Sequence, residues 1–440
     1  MRLASPWSHL RHWLAAPLLA AVASLTATSA QALPSYARQT GQDCAACHIG
    51  AFGPQLTPYG IKFKIGGYTD SDGKAGKVPL SGMVTADYTQ FKDDNGDSKS
   101  KTSMSEASIF LAGRLTDKIG SFTQVTYDGV EHHTSLDGLD LRVADTFNVA
   151  GKEAVFGLSL NNKPTVQDPF NNIGSWSAPY FTSHKANAVG AEFNGVGGAE
   201  QKVLGLNAYT LFDNHWYGEV GVYNSMPTSM QSRLGSPRAD GLGYGKLHGA
   251  PYYRLAYLQD MKTQAFQVGV FGFNGTQKNG QEFDDTVGAY VPTFSRQRFR
   301  DSGIDGTYQF LGNRQHVVTV NGAYVIERTT TNPADGSDSS SAKNRDYRLA
   351  TSYFFRNTYG ATVGLFKGTS SDSVNGSANR GTLYQLDWTP FGKEDSWMAP
   401  WANLRVGLQY IDYRKYVDAG TVVDHPHDKN TLTLFAWTSF

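Results

Sequence analysis

Two cysteines occur in 440 residues, and both lie in one pentapeptide, Cys44-Ala45-Ala46-Cys47-His48. At the C-x-x-C-H spacing two thiols can add to the two vinyl groups of one haem, and the imidazole that follows can bind the iron from one side. Three other chemistries compete. A structural zinc site needs further Cys or His at ligand spacing, and none follows. A thioredoxin-like redox pair needs a βαβ setting, which the flanking sequence lacks. A disulfide between residues three apart is disfavoured in so short a loop. The motif therefore predicts one covalent haem c, attached at Cys44 and Cys47, with His48 as proximal iron ligand.

The flanks must hold that group. In "LTPYGIKFKIGGY", Thr57 reads as an N-cap and Pro58 as the first helical residue. Tyr59 and Phe63 fall one turn apart, suited to ordinary packing or to packing on a porphyrin. Gly66-Gly67 ends the helix. Leu33 to Val78 spans only about 45 residues, marginal for an independent core. This small helical segment is expected to complete its packing with haem and with the next domain. Ahead of it, Arg2 and Arg11, the short apolar run at 14–27 and Ala30-Gln31-Ala32 predict a signal peptide over 1–32. No later apolar run approaches the length of a membrane helix.

From Leu80 the period changes to two. Charged residues are 18%, aromatics 12%, with 23 Tyr, 47 Gly and a formal net charge of zero. That balance does not point to a nucleic-acid partner. Val84, Ala86 and Tyr88 oppose Ser81, Met83, Thr85, Asp87 and Thr89. Val318, Val320, Tyr324 and Ile326 oppose Thr319, Asn321 and Glu327. Tyr384, Leu386 and Trp388 oppose Gln385 and Asp387. Leu404, Val406, Leu408 and Tyr410 oppose Asn403, Arg405, Gly407 and Gln409. One apolar and one polar face, strand after strand, predict an all-β transmembrane barrel over 79–440, with lipid outside and a wet lumen inside. A large soluble sandwich or propeller also alternates, but its turns should vary less regularly. Here short turns (116–119, 150–153, 212–215, 260–263, 312–315, 356–359) alternate with long polar loops (92–103, 129–137, 162–186, 225–250, 274–297, 329–343, 370–379, 415–428). With 187–212 read as loop material followed by a single strand, the count is about 16 antiparallel strands, even as both ends on one side require. The third long loop then covers roughly 162–200.

Other residues could carry chemistry. Met83 is the nearest methionine to the haem segment and falls on the polar face of the first strand. It is a candidate distal iron ligand, weighed against a packing role. Glu106, Asp128, Asp140, Glu327 and Asp346 fall on lumenal faces and could draw in a divalent cation, unless Arg142 and Arg348 neutralise them. His132-His133 and the two histidines of Asp424–Asp428 lie in loops where solvation is the ordinary role. No nucleophile–base set or phosphate-binding glycine loop is recognisable.

"PSYARQTGQDCAACH…LTPYGIKFKIGGY", followed by a barrel ending in "TLTLFAWTSF", resembles the fused monohaem cytochrome–porin family of the bacterial outer membrane. A final strand ending in Phe440 is similar to the assembly signal of such barrels. The third loop often folds into the lumen in porins. The resemblance is close over about residues 34–68 and architectural beyond. It implies electron transfer across the outer membrane. Extracellular Fe(II), or another small donor, is the expected source of electrons and a periplasmic c-type cytochrome the expected acceptor, with outer-membrane lipid around the barrel. The alternative is a diffusion porin whose haem segment is a plug or sensor. A third possibility is a soluble exported cytochrome with a β-rich partner domain.

Overall fold

The computed structural model describes residues 33–440 apart from 75, 94, 237–244, 285–288, 372–375, 394–395 and 419. The predicted signal peptide, 1–32, lies outside the described residues. Among these residues sixteen long strands form one antiparallel sheet: β1 (Leu80–Lys92), β2 (Ser98–Arg114), β3 (Ile119–Asp128), β4 (His133–Val149), β5 (Lys152–Asn161), β6 (Val203–Phe212), β7 (Trp216–Ser225), β8 (Ala250–Asp260), β9 (Gln264–Asp284), β10 (Ala289–Phe310), β11 (His316–Pro333), β12 (Ser340–Phe355), β13 (Tyr359–Ser370), β14 (Ala378–Trp388), β15 (Asn403–Asp418) and β16 (Thr431–Ser439). Two-residue pairings, Lys246–Leu247 and Thr421–Val422, extend the sheet in the loops. The first strand pairs with the last, Ala86 opposite Ala436 and Tyr88 opposite Leu434, so the barrel closes and leaves no edge.

Side-chain alternation sorts the faces. Leu386 (60% exposed), Leu408 (43%) and Tyr410 (39%) look outward, whereas Gln385, Asp387, Arg405 and Gln409 are buried in the interior. An apolar outside and a polar inside make this a transmembrane barrel. The six short turns lie at one end, joined there by a longer connection over 389–402. At the other end several strands run further than expected: β2 begins at Ser98, β9 reaches Asp284, β10 begins at Ala289, and β11 and β12 continue through Pro333 and from Ser340. The predicted loops 92–103, 274–297 and 329–343 are therefore largely strand. Beyond the lipid band both faces are polar, so the period-two signal fades while the hydrogen-bond ladder continues.

Two segments fold into the interior. Residues 33–78 lie within the short-turn end as helices α1 (Pro34–Thr40), α2 (Cys44–Cys47) and α3 (Pro58–Ile65) with connecting loops. Arg405 donates to Gly53 O (3.2 Å), Asn403 to Ala51 O (2.7 Å), Gln309 to Leu56 O (2.6 Å), Tyr209 to Ile65 O (2.8 Å) and Arg314 to Ala45 O (3.2 Å). Ile61 and Ile65 of α3 pack with Tyr209, Leu211, Tyr217 and Leu258 of the wall. The long connection 162–202 also folds inward. Its Asp168 meets Arg254 (3.3 Å), its Phe181 stacks on Phe435 at 4.2 Å, and its Asn194 and Gly195 N–H groups donate to Glu327. The strand after it starts at Val203, in line with the sequence expectation.

The two faces predict unequal tolerance of charge. Leu408→Arg places a cation in lipid, at a cost of about 2–4 kcal/mol if it lies near the midplane. It should sharply lower the yield of folded barrel, read as heat-modifiable gel mobility. Gln409→Arg should lower it far less. Equal losses would overturn the assignment of faces.

Candidate functional site

The C-x-x-C of the motif is one helical turn, α2, and residues three apart on a turn share a face. Both thiols are free of disulfide. His48 leaves the helix in extended conformation and bridges to Leu56 as an isolated antiparallel pair. Its Nδ1 lies 3.3 Å from the Gln55 carbonyl. A carbonyl only accepts, so Nδ1 carries the proton and Nε2 keeps the lone pair. Burial pushes the imidazole down to about 4, so it is neutral near pH 7 and able to ligate a metal.

Helix α3 is clamped onto this turn. Thr57 caps it, accepting from Gly60 N at 3.2 Å and donating to Ala46 O, while its own N–H donates to Cys47 O at 2.9 Å. Pro58 opens the helix and Gly66 closes it, as the sequence predicts. Gly60 allows the close approach, since a methyl group there would collide with the Cys47 carbonyl.

Cys44, Cys47 and His48 all line one cavity, walled by Leu33, Tyr36, Phe63 and Phe122 and bounded by Lys64 and Trp176. The fit to a c-type haem rests on three features. Two thiols outside any disulfide lie on one helical turn, a neutral imidazole whose Nδ1 is held by a carbonyl adjoins them, and the lining is mostly apolar. Phe63 faces the cavity and packs edge-on to Tyr36 at 5.0 Å. Tyr59 does not; its hydroxyl donates to Asp70 at 2.6 Å.

Met83 is buried on the lumenal face, packed with Phe110 and Ala112 and against Leu33, Tyr36, Phe122 and Trp437. Leu33, Tyr36 and Phe122 line the cavity; Met83 stands behind them. Of the predicted lumenal carboxylates, Glu106 and Asp128 lie opposite each other on β2 and β3, and the other three are held apart from them by their own partners. Asp140 pairs with Arg142 and Asp346 with Arg348, each at 2.8 Å. Glu327 holds loop backbone, Glu106 accepts from Ser108 and Gln124, and Asp128 lies 3.5 Å from His184. Among the described residues no cluster of three or more His, Cys, Asp or Glu could hold a metal ion. Of the loop histidines, His427 meets Asp412 at 3.0 Å and His132 meets the Tyr127 hydroxyl at 3.0 Å.

Sequence reasoning missed Lys64, Asn171 and Trp176. Lys64 reads as a solvated helix lysine until α3 is known to be surrounded by barrel. The other two come from the third loop, more than a hundred residues away.

No protein-family model and no curated relative matches the chain. Among solved structures it is similar to the outer-membrane protein OmpT of Vibrio cholerae (14% identity, TM-score 0.46, 84% of this chain and 99% of that one). It is also similar to an anion-selective porin from Comamonas acidovorans (12%, 0.46, 82% and 98%) and to the outer-membrane channel DcaP of Acinetobacter baumannii (11%, 0.45, 82% and 96%).

Gly60→Ala forces α3 away from α2, an overpacking change worth about 1–3 kcal/mol. A c-type haem held in this cavity would be attached less completely in the variant, read as weaker covalent haem staining with folded barrel retained. Staining equal to wild type would mean that the α2–α3 contact does not shape the cavity.

Proposed function

We propose that the chain is an outer-membrane electron-transfer protein, a barrel that carries one covalent c-type haem in its plug. The observation that carries this is the convergence of Cys44, Cys47 and His48 on one largely apolar cavity, with His48 Nδ1 engaged by the Gln55 carbonyl so that Nε2 keeps its lone pair. When bound, such a group supplies one-electron exchange. Cys44 and Cys47 would hold its edge and His48 its iron. Leu33, Tyr36, Phe63 and Phe122 would exclude water. The resemblance to the cytochrome–porin family supports the same assignment.

The apolar outer face supports insertion in the outer membrane, where short turns face the periplasm. The plug lies at that end, and Cys44 is only half-buried, close enough to the surface for a periplasmic cytochrome to receive electrons. On the long-loop side a wide vestibule is lined by Glu106, Asp128, Glu131 and Asp137, with His133 and His184. Such a wall attracts cations, which favours Fe(II) as donor. Trp437 lines this vestibule and belongs to the same packed group as Leu33, Tyr36 and Phe122 of the cavity wall. A small donor in the vestibule would therefore be separated from the cavity by packed side chains, without needing to pass the plug.

The vestibule is also the observation that favours the second reading, a diffusion porin with a haem-bearing plug. Against it, residues 33–78 and 162–202 occupy the lumen and are tied to several strands.

Purified wild type should keep haem stain on a denaturing gel and be reduced by Fe(II) in stopped flow. Cys44→Ala with Cys47→Ala should lose both and keep the folded barrel. Stain that persists in the double variant would refute the attachment. Stained wild type that Fe(II) does not reduce, yet conducts ions steadily in a planar bilayer, would favour the porin.

Met83 tests the iron's other face. From its place behind Tyr36 and Phe122, Met83→Ala should leave the spin state of the oxidised haem unchanged. A shift to high spin with new carbon monoxide binding would restore Met83 as a ligand.

A further inference from the structure

Lys64 differs from the lumenal arginines. Arg142, Arg254, Arg348 and Arg405 each lie 2.8 Å from a carboxylate. Lys64 is 6% exposed and has no carboxylate within ion-pair distance among the described residues. Its Nζ donates to two neutral oxygens, Val166 O at 2.7 Å and Asn171 Oδ1 at 2.9 Å, and lies 5.4 Å over the Trp176 ring. An ammonium has three donors, so one direction is unclaimed.

The acids around it are already taken. Asp140 accepts from Arg142, Tyr68 and Ser159. Asp168 accepts from the Phe170 and Asn172 N–H groups and meets Arg254, and Glu219 accepts from Asn207 and Tyr217. Burial, with Arg142 nearby, pushes Lys64 down to about 7. A buried ammonium that borders a cavity and lacks a counter-ion is matched when the occupant brings an anion. Asn171 and Trp176, its two neighbours, border the same cavity.

A haem brings two carboxylates, its propionates, on the porphyrin edge away from the vinyl groups. We infer that Lys64 is the anion-binding residue of the cavity and takes a porphyrin propionate carboxylate, with Asn171 holding the amine in place. Tethering at Cys44 and Cys47 would then fix one edge of the group and Lys64 the other. The inference rests on the haem reading above and adds the residue that sets its orientation and charge. It also gives α3 a second task. Ile61 and Ile65 seat the helix on the barrel wall, and Lys64 is presented from it to the cavity.

The test is a redox titration of the haem against pH in full-length wild type, Lys64→Gln and Lys64→Arg. A cation beside a carboxylate holds its proton affinity down. Lys64→Gln should move the pH at which the potential becomes pH-dependent upward by about one unit or more, tenfold in proton affinity, and Lys64→Arg should restore it. The spin state should be the same in all three. An unchanged break point in a haem-stained Lys64→Gln protein would remove Lys64 from the propionate. A change of spin state in Lys64→Gln that Lys64→Arg does not reverse would make Lys64 an iron ligand and overturn the inference. Wild type without haem stain would sink the haem reading itself, a separate result. If Lys64→Gln fails to assemble, resonance Raman spectroscopy of wild type and Lys64→Arg decides. The propionate bending band should shift between ammonium and guanidinium partners, and an identical band would reject the contact.

Discussion

Everything in the interior depends on one requirement: the backbone of the plug must find hydrogen-bond partners where bulk water is largely excluded. An unsatisfied buried polar group costs about 1–3 kcal/mol. Residues 33–78 have too little helix to satisfy their own carbonyl groups, and several of those left over are met by barrel side chains. Gly53, Ala51, Leu56 and Ile65 accept from Arg405, Asn403, Gln309 and Tyr209. The wall is therefore a template as well as an enclosure. The period of two that makes the outside apolar also aims these donors inward at fixed spacing.

The third loop meets the same requirement with reversed polarity. Along 191–196 it is backbone N–H groups that need acceptors, and carboxylates supply them: Asp346 for Ala191, Glu327 for Asn194 and Gly195, Asp301 for Val196. Glu327 and Asp346 looked like part of a cation lure in the sequence, yet both serve the loop. Other carboxylates line the vestibule, Glu106 on β2, Asp128 on β3 and Glu131 in the turn that follows, while Asp137 on β4 is paired with Lys163. The lumenal acids thus divide into those that hold the loop backbone and those that border the vestibule.

Much of this was legible beforehand. Leu408 and Gln409 sort to opposite faces because period two is a local property of the chain. Thr57-Pro58 and Gly66 bound α3 because caps are local too. The place of the plug was not, because the register of 33–78 against the wall rests on contacts such as Gln309 with Leu56, some 250 residues apart. Strand ends beyond the lipid band were missed because both faces there are polar. Met83 was legible as a lumenal residue, but which side chains stand between it and the cavity is set by α1 and β3.

Lys64 shows why site chemistry is harder to read than fold. In isolation α3 is a short helix with Lys62 and Lys64 in its last turn, where cations suit the helix dipole. Nothing local separates the two. Enclosure separates them: Lys62 stays on the outer side of the helix, while Lys64 is turned toward Trp176 and the loop carbonyl of Val166. A lysine in water is interchangeable with its neighbours, but a lysine without water is defined by what it still lacks. Here that is one acceptor at the edge of a cavity that Cys44, Cys47 and His48 also border, which ties its charge to whatever those three residues hold.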